Sequence, residues 1–334
     1  MLFRLFLLCV LPFFPVVGLA DVAPSAFNFI QHKPLDPIKL QSGLPAPAAR
    51  LVSGNEFQFA LAYANVFMGG VTANERLVLD GESSQLNLRY RHAFNRCLQV
   101  NGTASWISNT RGRFDEPLDA WHQFFGLPDA KRDEWPNNQL EYRYELAGTE
   151  QSLTAPNSGW GDVQLQLQHA LGCSANGAIV RAGITVPVGS QAMYLRSGVT
   201  DAFVDVQSQL GSFGQQSRFR FGGSIGVLKR GNARVFSNQQ SVVGFGALAV
   251  NFSMSTRTQL LAQLDWHTAM FDSQLRELGD LALQLTLGAR YNTKNGKAWE
   301  FSFTEDAVID TGPDIVVRLA YIHRFGTADT GGLH

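Results

Sequence analysis

The chain has 334 residues and a formal net charge of −1, so bulk electrostatics speaks against a nucleic-acid partner. Only 16% of residues are charged, against about a quarter in ordinary soluble domains. Mean hydropathy is −0.06, far too polar for a bundle of membrane helices but compatible with membrane strands, in which only alternate residues meet lipid.

The first twenty residues, MLFRLFLLCVLPFFPVVGLA, carry Arg4, then an apolar run broken by Pro12 and Pro15, then Gly18-Leu19-Ala20. This pattern predicts a secretory signal peptide, 1–20, cleaved after Ala20. No later window of 18 or more residues is continuously apolar, so no transmembrane helix is expected. Residues 21–55 are proline-rich and weakly periodic. They read either as a disordered periplasmic leader or as a plug, because the apolar FNFI (27–30) is tethered where it could enter a lumen.

From residue 56 a two-residue period takes over. Phe57, Phe59, Leu61 and Tyr63 share one face, and Leu86, Leu88 and Tyr90 oppose Asn87, Arg89 and Arg91. In 158–172, SGWGDVQLQLQHALG, Val163, Leu165 and Leu167 alternate with Gln164, Gln166 and Gln168. Segments recur over 56–68, 76–93, 97–109, 138–146, 149–155, 160–171, 177–188, 199–208, 217–228, 240–253, 257–268, 279–292, 297–305 and 313–325.

A soluble β-sandwich and a membrane barrel both produce this pattern, with opposite faces wet. The export signal, the sparse charges among Gly and Ser on the polar faces, and aromatics at strand ends (Trp106, Trp160, Trp266, Trp299, Tyr291, Tyr321) favour the barrel. The expected fold is all-β: a transmembrane antiparallel β-barrel of about fourteen strands over 56–325, with a tail at 326–334. An even count puts both termini and the short turns 95–97, 173–177, 255–257 and 293–296 on the periplasmic side. The long segment 110–137 then lies outside.

Within that outer segment Pro117 can open a helix, and Trp121, Phe124 and Phe125 recur at helical spacing. A short helical cap is expected, either packed on the rim or acting as a lid. His122 reads as a polar-face residue rather than a base. The polar strand faces carry Arg89, Arg91, Glu141, Arg143, Glu145, Asp205, Arg218, Arg220, Asp265, Arg290, Glu300 and Arg318 as a candidate lumen wall. They form either a selectivity wall or a mutually paired network that fills a narrow barrel.

Two cysteines survive cleavage, Cys97 and Cys173. Both fall near turns at one end of the barrel, and a fourteen-strand wall puts them on non-adjacent hairpins, which leaves their pairing open. No catalytic set, phosphate loop, metal motif or haem motif appears, so neither an enzyme nor a cofactor is expected. His169, His267 and His323 are scattered along the chain.

The segments AWHQFFGLPDAKRDEWPNNQLEYRY, GWGDVQLQLQHAL, LVLDGESSQLNLRYRHAF and PLDPIKLQSGLPAPAARLVSGNEFQFAL together resemble a family of Gram-negative outer-membrane proteins, domain of unknown function number 3187. The resemblance spans most of the mature chain. It implies an outer-membrane barrel and no established activity, so it supplies no site residues. Many such barrels end on an aromatic residue, whereas nine residues follow Phe325 here; Phe325 is the residue that barrel-assembly machinery would read. The expected partners are outer-membrane lipid, that machinery and a small solute. The sequence supports a gated channel or uptake porin first. A non-conducting structural or interaction barrel comes next, and a rim hydrolase last.

Overall fold

A computed structural model describes residues 27–47, 51–125, 136–173, 177–189, 194–212, 217–231, 236–293, 295–308 and 310–326. The expected signal peptide and most of the tail lie outside the described residues, as do the side chains of Trp121, His122 and Phe125. Among the described residues no helix is long and apolar enough to cross a membrane.

Alternation becomes fourteen antiparallel strands in one sheet. They are β1 (Asn55–Val71), β2 (Glu75–Ala93), β3 (Leu98–Thr110), β4 (Glu141–Leu146), β5 (Thr149–Leu153), β6 (Asn157–Ala170) and β7 (Ile179–Val186). The second half adds β8 (Asp201–Ser212), β9 (Phe219–Lys229), β10 (Val242–Ser253), β11 (Thr258–His267), β12 (Ala282–Asn292), β13 (Lys297–Asp306) and β14 (Ile315–Phe325). Twelve of them close the wall: β1 pairs with β14 on one side and β2 on the other, and β3 pairs directly with β6. Closure leaves those twelve staves without an open edge, the condition for spanning hydrocarbon.

The remaining two strands are not staves. β4 and β5 form a hairpin that adds to the upper part of β2, where Glu75–Asp80 pairs with β4. Below that point β2 pairs with β3, from Glu82 to Ala93. Gly81 sits at the switch with φ +153°, and a Cβ there would lie 3.0 Å from Leu140 and 3.2 Å from the Thr110 carbonyl. Glycine lets β2 change partners at that residue. Because the two strands leave the wall together, its count stays even, and the start of β1 and the end of β14 stay on one rim. The short turns lie at that rim, called here the turn end. The longer connections, including α2 (Asp115–Phe125) and α3 (Arg276–Gly279), lie at the loop end.

Burial is inverted relative to a soluble protein. Leu165, Leu167, Val204, Val206, Ile225, Val227, Leu248, Phe301 and Leu319 are exposed on the outer face. Gln166, Gln168, Gln207, Gln263, Gln284 and Ser302 are buried within. Aromatic girdles mark both rims of the outer face. Trp106 and Trp160 meet edge to face at 5.5 Å near the loop end, and Trp299 and Tyr321 pack at 5.0 Å near the turn end.

Bringing β3 beside β6 also joins the two turns that carry cysteine. Cys97 and Cys173 form a disulfide with Cα atoms 4.6 Å apart. Their hairpins are adjacent, contrary to the fourteen-stave expectation, because the β4–β5 hairpin no longer separates them.

Candidate functional site: a polar lumen threaded by the N-terminal segment

Eight-stranded barrels fill themselves with wall side chains, and sixteen-stranded ones hold open water. A twelve-stranded wall lies between, and here the chain's own N-terminal segment occupies the space. Residues 27–39 are buried. Phe27 and Phe29 pack on Ala247 and Ala249 near the turn end, their rings 4.9 Å apart. The fit is close: a Cβ on Gly222 would fall 2.2 Å from the Phe27 ring.

The segment rises along β10 and β11 on side-chain amides. The Asn28 amide donates to Asn251 Oδ1 (2.6 Å), and Asn251 Nδ2 donates to the Asn28 carbonyl (2.9 Å). Two residues on, the Ile30 amide donates to Gln263 Oε1 (2.9 Å) and Gln263 Nε2 donates to the Ile30 carbonyl (3.2 Å). Higher still, Lys33 Nζ donates to the Trp266 carbonyl (3.2 Å).

The segment turns at the loop end in a single helical turn, α1 (Pro37–Leu40). Asp36 caps it by accepting from the Lys39 amide (3.0 Å), and Pro37 supplies a first-turn φ without needing a hydrogen bond. Lys39 Nζ pairs with Asp36 (2.9 Å) and donates to the Thr311 carbonyl (2.8 Å), which satisfies a buried ammonium from two sides. The descent follows β7, β6 and β3. Gln164 donates to the Gly43 carbonyl (3.0 Å), Arg181 to the Ala46 carbonyl (2.7 Å), and the Val52 amide donates to Gln99 (2.9 Å).

Above the turn the loop end is apolar. Leu35, Ile38 and Leu44 join Tyr142, Tyr144, Tyr194, Phe236, Met270 and Phe271 in one buried cluster. Tyr144 stacks edge-on against Phe236 at 4.5 Å and donates to Glu75 (2.8 Å). Asn238 (3.0 Å) and Ser273 (2.7 Å) donate to the same carboxylate, so one acid ties the hairpin to two connections at the loop end.

The charged wall residues divide. Arg91, Asp205, Asp265, Arg290, Glu300 and Arg318 are buried inside. Arg89 reaches the segment itself, donating to Gln31 and, at 3.2 Å, to Thr103. Arg218 and Arg220 are half-buried near the turn end. Glu141, Arg143 and Glu145 are corrected: they stand on the added hairpin, above the wall, on the face opposite the buried Tyr142 and Tyr144. Arg143 pairs there with Glu141 (3.4 Å) and Glu150 (3.6 Å).

Three partners had not been singled out. Glu56 binds Arg91 and Arg324 (2.7 Å), and Arg181 binds Asp205, with Nε 3.0 Å from Oδ2. Their signal was in the sequence: Glu56 sits opposite Phe57, and Arg181 opposite the outward face of β7. The wall amides Asn251 and Gln263 were missed for another reason, since a polar alternation says nothing about which amide will find a backbone.

The cap forms as α2, with Asp115 and Glu116 in its positive first turn. Its base is fixed by Asp115, which accepts from Asn65 (3.0 Å) and from the Asn138 amide (2.6 Å). Phe124 is 81% exposed. The histidines are not assembled: His267 is buried near the loop end of β11, while His323 stacks between Tyr321 and Phe325 at the opposite rim. His169 is exposed at the turn end of β6. Among the described residues no group of three or more His, Cys, Asp or Glu could hold a metal.

Among solved structures, the chain is similar to a COG4313 outer-membrane channel from Pseudomonas putida F1. The TM-score is 0.52 at 11% identity, covering 82% of this chain and 97% of that one. Looser likenesses, to the CymD monoaromatic hydrocarbon channel (TM-score 0.42, 9% identity, 91% and 100% covered) and the KdgM porin (0.41, 6%, 81% and 99%), carry no weight beyond that. The first likeness establishes the outer-membrane barrel fold. No curated protein matches the sequence. Residues 2–325 match the family described as proteins of unknown function, DUF3187, and the chain belongs to that family.

Proposed function

We propose that this barrel is an outer-membrane channel for a small solute, with residues 27–47 as a plug released from within the lumen. The observation that carries the reading is the way the segment is held. Wall side chains grip its backbone at Asn28, Ile30, Gly43 and Ala46, and the segment adds no strand to the sheet. It can therefore leave without unpairing any stave. Each amide grip contributes about 1 kcal/mol net, a range that thermal fluctuation or a ligand can overcome one at a time.

Exit towards the turn end, where β1 begins and β14 ends, corresponds to the periplasm, and the apolar cluster at the loop end faces outward. In the same reading the exposed outer face meets lipid, and Phe325 is the aromatic end presented to assembly machinery. Liposome swelling tests the proposal. Vesicles carrying the chain without residues 21–50 should swell in small sugars faster than vesicles carrying the full mature chain. Equal, background swelling of both would remove it.

One observation favours a non-conducting interaction barrel as the second reading. The loop end holds a buried apolar cluster, aromatic and aliphatic, while Phe124 stands 81% exposed on α2. That reading expects silence from both proteins and a binding partner lost on Phe124→Ala.

A further inference from the structure

The buried arginines of the lumen are not alike. Arg181 is fully engaged: Asp205 takes two of its nitrogens, and Gln166 (3.2 Å) and the Ala46 carbonyl (2.7 Å) take the third. Arg290 and Arg318 are just as buried, each 1% exposed, yet they share a single carboxylate. Arg318 Nη1 donates to Glu300 at 2.7 Å, and Arg290 Nη1 stands 3.6 Å from the same acid, beyond hydrogen-bond distance. Nε and both Nη atoms of Arg290, and Nε and Nη2 of Arg318, have no hydrogen-bond partner.

A buried guanidinium with idle N–H groups is costly, and a planar oxyanion is the group whose two acceptors match its fork. We infer that Arg290 and Arg318, flanking Glu300 on β12, β14 and β13, form an anion-binding site in the lumen that takes the carboxylate of a small amphipathic solute.

Charge counting selects the class. Two guanidinium groups against one carboxylate leave one positive charge, the complement of a monoanion. The surroundings add further cations: Arg324 lies on β14 and Arg89 and Arg91 on β2, across β1, where Arg91 and Arg324 share the Glu56 carboxylate. An apolar body on the solute suits the cluster at the loop end, through which it would arrive. A cavity of about 10 Å³, room for one water, lies within the lumen, lined by His32, Leu35, Val316 and Ala62 rather than by the arginines themselves; Ala62 is the strand partner of Arg318. Withdrawal of the N-terminal segment enlarges it. The inference deepens the channel reading for its transport consequence, but binding itself needs no permeation.

The test uses the full mature protein folded in detergent, with benzoate as probe. Thermal unfolding is followed in sodium benzoate and in sodium chloride of equal ionic strength, with inorganic phosphate as a third arm. Benzoate is expected to raise the midpoint above chloride, and phosphate to do less. Arg290→Gln and Arg318→Gln should each weaken benzoate about tenfold or more, as loss of a charge-assisted bond implies. Arg290→Lys, which keeps the charge and loses the fork, provides the same comparison if Arg290→Gln does not fold. No benzoate effect beyond chloride in the wild type, or an effect unchanged in the variants, overturns the site. A phosphate effect larger than that of benzoate overturns the monocarboxylate assignment. Silent bilayers with an intact benzoate shift would sink the channel and leave the site standing; conduction without a benzoate shift would do the reverse.

Discussion

Asn251 and Asn28 exchange a pair of hydrogen bonds in which a wall side chain takes the place of a neighbouring strand. The Asn28 amide donates to Asn251 Oδ1 at 2.6 Å and Asn251 Nδ2 returns to the Asn28 carbonyl at 2.9 Å. Gln263 repeats the exchange with Ile30. The spacing of two along the segment matches the pleat of an extended chain, so one side of its backbone is satisfied without pairing into the sheet.

Asn251→Leu with Gln263→Leu should therefore remove side-chain partners from four backbone groups of the segment while leaving every stave paired; of these the Ile30 carbonyl keeps the His32 amide, at 2.9 Å. Each unsatisfied group costs about 1–3 kcal/mol. The expected outcome is faster proteolysis around residues 27–33 with unchanged heat-modifiable migration of the folded barrel. Unchanged protection would mean that packing of Phe27 and Ile30 alone seats the segment.

The two faces of β6 should answer oppositely to charge. Leu165 is 47% exposed on the outer face, so Leu165→Arg should cost about 2–4 kcal/mol near the bilayer midplane and reduce assembled protein. Gln166 is 3% exposed and already accepts from Asn101 (3.0 Å) and Arg181 (3.2 Å), so Gln166→Glu should assemble at near wild-type levels. Membrane-fraction yields of the two variants decide it, and the reverse ranking would turn the barrel inside out.

The disulfide closes a 76-residue separation between neighbouring turns. In the chain-entropy account that loop contributes up to about 4 kcal/mol. Cys97→Ser with Cys173→Ser should lower the urea midpoint of the detergent-folded barrel, and adding reductant to the variant should change nothing further. An unchanged midpoint would make the bond incidental.

Much of this was legible from alternation alone. The period of two located all fourteen strands, and its polar parity placed Arg91, Asp205, Arg290 and Arg318 inward before any register was known. The role of residues 138–153 was not legible, because a strand in a hairpin above the wall alternates as a stave does. What distinguishes it is Gly81, whose backbone geometry releases β2 from β3, and a lone glycine in a strand does not announce that. The path of residues 27–47 was hidden for a related reason: its contacts are long-range side-chain amides, which leave no local period.

The outer loops should tighten in mild acid. Burial, reinforced by the charge of Asp310, raises the Glu277 carboxyl above its usual range, and burial raises Asp310 as well. A carboxyl raised in the folded state costs stability when ionised in full above its folded pKa. The cost fades as pH falls through that value and is gone below the unfolded one. Between about pH 7 and about pH 5, hydrogen exchange at 275–280, corrected for intrinsic rate, should slow, and Glu277→Gln should flatten the change. Faster exchange in acid would reverse the sign.

The most direct test of the account is single-channel conductance in planar bilayers of the full mature chain against the same chain lacking residues 21–50. The plug reading expects rare, brief openings from the first and steady conductance from the second. Steady conductance from both would show that the segment does not close the lumen. Silence from both, with each protein demonstrably folded, would contradict the channel itself.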